Sequence, residues 1–97
     1  GRASMLVGTH THVPTADHRI LPGGTAYQTD TGMCGDYDSV IGMNKEVAID
    51  RFTGRGNSRL SVALGSVTIC GLLVEADDKG MAQTVRPLRR GGELAPA

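Results

Sequence analysis

Apolar and polar positions along this chain change rhythm several times, and each change predicts an element. Residues 3–9, ASMLVGT, form a short apolar run rich in small side chains, which predicts a buried strand. Pro14 bars a central strand from continuing beyond it. Two short extended pieces, Arg19–Leu21 and Thr25–Thr29, flank Pro22-Gly23-Gly24, the composition of a hairpin turn. From Thr29 to Met43 three glycines and three aspartates follow no steady period, which predicts a loop. Asn44 then stands as the N-cap of a helix over 45–52, with Glu46 in the first turn where the helix dipole favours a carboxylate. Ala48, Ile49 and Phe52 share one helix face, and Thr53-Gly54 ends the helix.

From Arg59 the period becomes two. Leu60, Val62 and Leu64 alternate with Ser61 and Ala63, predicting a half-buried strand with Gly65-Ser66 as a tight turn after it. The run VTICGLLV, residues 67–74, is apolar on both faces and predicts a central strand. A turn ending at Gly80 follows, and Met81–Arg86 is expected to pair back as a last strand. After Pro87, LRRGGELAPA has no period. The domain portion is therefore expected over 1–87 and a flexible tail over 88–97. No internal repeat interrupts this reading.

Composition narrows the function classes. Ninety-seven residues suffice for one small domain with a modest core. Ten Lys+Arg balance ten Asp+Glu, so no charge excess steers the chain toward nucleic acid, and no specific DNA binding is expected. Three aromatics and no Trp make a poor base-stacking surface. Cys34 and Cys70 form no CxxC pair, which favours a reduced, cytoplasmic setting over a secreted one. No apolar run approaches the ~20 residues a membrane span needs, so no membrane partner is expected. The chain enters an apolar segment almost at once, which reads as the middle of a longer domain.

The candidate chemistry lies in GTHTH, residues 8–12. If the strand continues through it, His10 and His12 point to one face, their Cα atoms ~6.5–7 Å apart. Such imidazoles can converge on one metal or each hold one ion of a pair. Gly8 lets the backbone turn closely, and Thr9 and Thr11 face away, free to orient the ligands. The spacing alone is equally that of two surface histidines at a strand end. His18 follows Asp17, but four residues separate His12 from Asp17 where an HxHxDH metal motif needs one, so His18 reads as a loop residue.

The flanks add a resemblance. GTHTH, the TAD and ILPGGTAY after it, TDTGM with Gly35, YDS, and GMNKE entering the helix stand in one order. Together they resemble the YmdB-like branch of the calcineurin-type metallophosphoesterases. The likeness runs from residue 2 to about Phe52 and weakens toward Pro87. It implies an α/β fold: the C-terminal part of a calcineurin-like α/β/β/α sandwich, strand-rich here with one clear helix. It also implies phosphodiester hydrolysis, cyclic nucleotides included, with two divalent metal ions, Mn or Fe, with Zn a third option. By that resemblance His10 and His12 are metal ligands, one on each ion, and the family's other ligands and its proton-transferring His lie before GTHTH.

Asp30, Gly32 and Met33 are then expected to border the substrate pocket, because strand-end loops line such sites. The alternative is a structural turn in which Asp30 bonds local amides. The expected partners are the phosphodiester or cyclic nucleotide substrate, the N-terminal half of the domain, and a second copy in a homo-oligomer. The competing reading is a truncated, non-catalytic structural or interaction module, and the chain alone is expected to have little activity.

Overall fold

The computed structural model describes residues 1–56 and 59–97. Among the described residues, two three-stranded sheets and one helix form the fold. The first sheet holds β1 (Met5–Val7), β2 (Arg19–Ile20) and β3 (Ala26–Gln28), in the order β1-β3-β2. β1 runs parallel to β3, and β2 pairs antiparallel with it across the Pro22-Gly23-Gly24 turn. Gly23 and Gly24 both take left-handed backbone there (φ 99° and 93°), which a side chain at either position would strain. The second sheet, β4-β5-β6, is antiparallel and consists of β4 (Gly35–Asp36), β5 (Val67–Ala76) and β6 (Ala82–Arg90). The Ala82 amide donates to the Gly24 carbonyl (2.8 Å), tying the start of β6 to the β2–β3 turn.

The helix α1 spans Lys45–Phe52, as its sequence predicts. The Asn44 side-chain oxygen accepts from the amides of Glu46 and Val47 (3.1 and 3.3 Å), satisfying two of the donors a helix start leaves free. Of the apolar face, only Ala48 is buried; Ile49 and Phe52 are exposed. The mixed α/β, strand-rich, one-helix character therefore holds, while burial does not follow the pattern everywhere.

Three expectations are corrected. β1 is not buried: Met5, Leu6 and Val7 are all exposed, because the described residues cover this edge strand only in part. Residues 59–64 form no strand. Val62 makes a lone bridge to Met43 and Leu64 is 93% exposed, since the segment crosses the 40–43 turn and finds no second strand to pair with. The last strand passes Pro87 and runs to Arg90, with Pro87 opposite Leu72. β6 is an edge strand, where a missing amide donor is tolerated. The expected tail over 88–97 thus begins inside β6, and Ala97 exchanges backbone hydrogen bonds with Arg89 (3.0 and 3.2 Å).

β5 occupies the centre of its sheet but buries one face only. Thr68 and Cys70 point inward, while Val67, Ile69 and Leu73 are exposed. The consequence shows in the shape. The radius of gyration is 16.8 Å, against about 13 Å for a compact domain of ~100 residues. The accessible surface of 6579 Å² likewise exceeds the ~5,300 Å² of a compact monomer of this mass.

A carboxylate secures the segment that leads from the GTHTH loop to β2. Asp17 accepts from the hydroxyls of Thr15 (2.6 Å) and Thr29 and from the Thr29 amide (3.1 Å). The Thr15 hydroxyl, then the Thr29 hydroxyl, pull its pKa down to about 2. Because the folded value lies below the unfolded one (~3.9), this contribution is present above pH ~4 and is lost as pH falls toward 2. Asp17→Asn removes that titration, so the drop in unfolding midpoint between pH 5 and pH 2.5 is expected to be smaller in the variant than in the parent. Equal drops, read by circular dichroism, would remove Asp17 from the acid response.

Candidate active site

The histidine segment begins where β1 stops. The Gly8 amide donates to the Gln28 carbonyl (3.1 Å) and the Thr31 amide donates back to the Gly8 carbonyl (3.0 Å). A Cβ at Gly8 would stand 2.3 Å from the Thr29 carbonyl oxygen, so only glycine permits this approach. Past Gly8 the chain leaves the sheet, and His10, Thr11 and His12 lie in bends. The strand alternation expected to place both imidazoles on one face therefore does not operate. The loop must aim them instead.

Asp30 does the holding. One carboxylate oxygen accepts from the amides of His10 (2.8 Å) and Thr11 (2.6 Å) and from the Thr11 hydroxyl (2.7 Å). The other accepts from the Gly32 amide (2.8 Å). Asp30 is 1% exposed, and the Thr11 hydroxyl, followed by the His10, Gly32 and Thr11 amides, holds its carboxyl well below the usual carboxylate range. Its carbonyl accepts from the Thr15 amide (2.9 Å), and its amide donates to the Thr15 hydroxyl (3.0 Å). With these donors engaged, Asp30 matches the structural-turn alternative: its part is to position the loop.

His12 is set from a second direction. Its ring Nδ1 lies 2.7 Å from the Ile41 carbonyl oxygen. A carbonyl only accepts, so Nδ1 carries a proton, and in the neutral ring Nε2 then presents its lone pair, the form in which imidazole ligates metals. Both partners adopt left-handed backbone, φ 70° at His12 and 47° at Ile41, and they are the two non-glycine residues to do so among the described residues. For a β-branched residue this costs roughly 1–3 kcal/mol and persists only when its surroundings enforce it. Here the Ser39 hydroxyl donates to the Asp36 carbonyl (2.5 Å) and accepts from the Gly42 amide (2.9 Å), closing the turn that carries Ile41.

Gly32 and Met33 are placed by Tyr37. The Tyr37 hydroxyl accepts from the Met33 amide and donates to the Met33 carbonyl, both at 2.9 Å. Burial, with the Cys70 thiol beside it at 3.3 Å, pushes the phenol up to about 12 and keeps it a donor. Gly32 has φ 87°, and a Cβ there would meet Pro14 and the Tyr37 hydroxyl at 2.9 Å. Gly32 is thus a close-approach glycine, and Met33 is the expected border residue that shares a cavity with His12. That cavity measures about 370 Å³. His10 is exposed on the same loop.

Thr15, Tyr37 and Ile41 escaped the sequence reading. Glycines near Tyr37 and Ile41 signal turns, but nothing local pairs the Ile41 carbonyl with His12, 29 residues away, or the Thr15 hydroxyl with Asp30, 15 residues away. Among the described residues, no group of three or more His, Cys, Asp or Glu side chains is arranged to hold a metal ion. His10 and His12 fit as ligands to a divalent ion by chemistry and, for His12, by proton placement. They are two donors where such an ion takes four or more. Among the described residues no helix is long and apolar enough to cross a membrane.

Comparison with known proteins follows the same segments. The model of the family described as YmdB-like protein matches residues 1–88. A 2′,3′-cyclic-nucleotide 2′-phosphodiesterase of Bacillus subtilis (strain 168) is 54% identical over 79 residues, covering 81% of this chain and 30% of that protein. Two solved structures superpose with a TM-score of 0.83 each. One is a hypothetical protein from Thermus thermophilus, 37% identical, covering 95% of this chain and 36% of that one. The other, described as a novel phosphatase from Mycoplasma pneumoniae, is 38% identical, covering 91% of this chain and 32% of that one. The chain spans about a third of the length of these relatives.

The positioning role of Asp30 has a direct check. Asp30→Asn replaces an acceptor by an amide donor facing amide and hydroxyl donors, and is expected to cost about 1–3 kcal/mol in urea unfolding. Asp30→Glu, which keeps the charge but lengthens the reach, is expected to fall between the two. An Asn variant as stable as the parent would contradict the clamp.

Proposed function

The chain belongs to the YmdB-like protein family, and from that premise we propose that it contributes His10 and His12 to a two-metal centre that hydrolyses phosphodiesters of the cyclic-nucleotide type. The observation that carries the proposal is the histidine loop itself: a five-residue segment held by a buried carboxylate at its middle and by a strained carbonyl at its end. So much structure is out of proportion for two surface histidines. The activity named for the Bacillus subtilis relative, and the phosphatase description of the Mycoplasma pneumoniae structure, support the reaction class.

His10 and His12 would help hold a pair of divalent ions, Mn or Fe, with Zn as the third option, and such ions would supply charge neutralisation and a more acidic water for in-line displacement at phosphorus. The residues of this chain hold and orient. His12 offers Nε2 because Ile41 holds the proton on Nδ1. His10 is fixed in backbone position by the hydrogen bond its amide N–H donates to the Asp30 carboxylate. Preset geometry of this kind avoids reorganisation during reaction. Because two imidazoles fall short of a full ligand set, activity requires further donors from outside the described residues. The 97 residues alone are then expected to bind metal weakly and turn over slowly.

A second reading also has an observation behind it. Met5, Leu6 and Val7 are exposed on the edge strand β1, an apolar surface suited to packing against further polypeptide, and Leu64 is exposed elsewhere. In that reading the chain serves as a structural or interaction module, with the rest of the domain or a second copy as partner.

Metal content and turnover separate the readings. In the full-length protein loaded with Mn, His10→Ala and His12→Ala are each expected to lower kcat/KM on a 2′,3′-cyclic nucleotide at least about 100-fold. Each is also expected to reduce bound metal measured by plasma mass spectrometry. Variants that keep parental metal and turnover would overturn the assignment of the two histidines, and tight stoichiometric metal in residues 1–97 alone would overturn the need for outside donors.

A further inference from the structure

The cavity beside His12 has features that the metal centre does not use. Its walls include Met33, Ile41, Met43 and Val62, with His12 at one side. No Lys or Arg lines it. The one carboxylate in its lining, Asp36, is buried, and its oxygens accept from the Asp38 and Gly65 amides (both 2.9 Å), so it offers no free charge. Apart from Thr9 and His12, the lining side chains give a phosphate no partner, whereas the Met33, Ile41, Met43 and Val62 walls suit an uncharged, polarisable, flat group.

The volume of about 370 Å³ lies at the lower end of small-molecule sites, ~300–1,000 Å³, which are mostly apolar with a few polar groups. Two thioethers on the walls favour an aromatic occupant, because methionine sulfur contacts ring edges well and adapts its shape. The geometry behind the walls is built rather than left over. Gly35 and Gly42 leave room for the Met33 sulfur, which would lie 3.4 and 3.1 Å from a Cβ at those positions. Ile41, whose left-handed backbone directs its carbonyl to His12, also lines the cavity. One turn therefore sets the ligand and the adjoining wall together.

We propose that this cavity is the subsite for the nucleobase of a nucleoside phosphodiester, placing the base against Met33 and Met43 while the phosphoryl group lies on the His12 side. The proposal rests on the phosphodiesterase reading and adds to it the part of the substrate that confers selectivity.

The chain's four methionines, Met5, Met33, Met43 and Met81, provide the test. Met5 lies on β1 and Met81 packs near Gly24, both away from the cavity lining, so they serve as internal controls. With ¹³C-methyl methionine in the metal-free full chain, adenosine is expected to shift the Met33 and Met43 signals and leave Met5 and Met81 in place. Ribose 5-phosphate is expected to move none of them. Adenosine that leaves Met33 and Met43 unmoved, as when a further segment of polypeptide fills the cavity, overturns the proposal, and so does an equal shift of all four.

Kinetics then separates the subsite from the reaction beneath it. In the metal-loaded full-length protein, Met43→Ala is expected to lower the ratio of kcat/KM for 2′,3′-cyclic AMP to that for base-free ribose 2′,3′-cyclic phosphate about 10-fold. An unchanged ratio contradicts the subsite while leaving phosphodiester hydrolysis standing. Parental protein that hydrolyses neither substrate contradicts the reaction, whatever the methionine signals show.

Discussion

The buried carboxylate of Asp30 is the constraint on which the histidine loop depends. Four donors from three residues, the amides of His10, Thr11 and Gly32 and the Thr11 hydroxyl, converge on its two oxygens. An ionised group that is 1% exposed is stable only when its charge is met by such donors, so the carboxylate and the loop enforce each other. The loop cannot relax without leaving a charge unsatisfied, and the charge cannot be buried without the loop. β3 anchors the arrangement, because Asp30 follows it by two residues and Gln28 receives the Gly8 amide.

Around that clamp the fold places a second, strained contact. His12 and Ile41 both occupy left-handed backbone, and one hydrogen bond joins them. Strain of this kind is commonly concentrated where geometry matters more than stability. The turn bearing Ile41 is closed by Ser39 and abuts the 62–63 segment, so residues distant in sequence shape one cavity wall. The thin core contrasts with this local ordering. Among the described residues the buried apolar side chains are Ala26, Ala48, Cys70 and Ala82, all small, while much of β1 and one face of β5 stay open. Polar contacts organise the histidine end more than hydrophobic packing does.

Legibility in the sequence followed the range of the forces involved. The helix at 45–52 was readable because Asn44, Glu46 and Gly54 act within one or two turns. The β2–β3 hairpin was readable because Pro22-Gly23-Gly24 dictates its own backbone. The strand expected at 59–64 failed for the opposite reason: alternation signals a strand only where a partner is available, and there the 40–43 turn offers a single bridge. Pro87 misled because its effect depends on edge or central placement, which is a tertiary fact. At the site, the two histidines stood out by type and spacing. Asp30 stood out as a pocket-border residue or, alternatively, as a turn carboxylate bonding local amides, but its donors from His10 and Thr11 come together only through folding, and the Ile41 carbonyl is invisible to side-chain chemistry altogether.

The loop presets the His12 ring, and the imidazole itself records whether it does. Long-range ¹H–¹⁵N correlation of the His12 ring in the metal-free protein, taken above pH 8, reads the proton's position. A loop that holds the ring against the Ile41 carbonyl yields a single neutral tautomer, with the proton on Nδ1 and a bare Nε2. A ring protonated on Nε2, or an even mixture of the two tautomers, would contradict it.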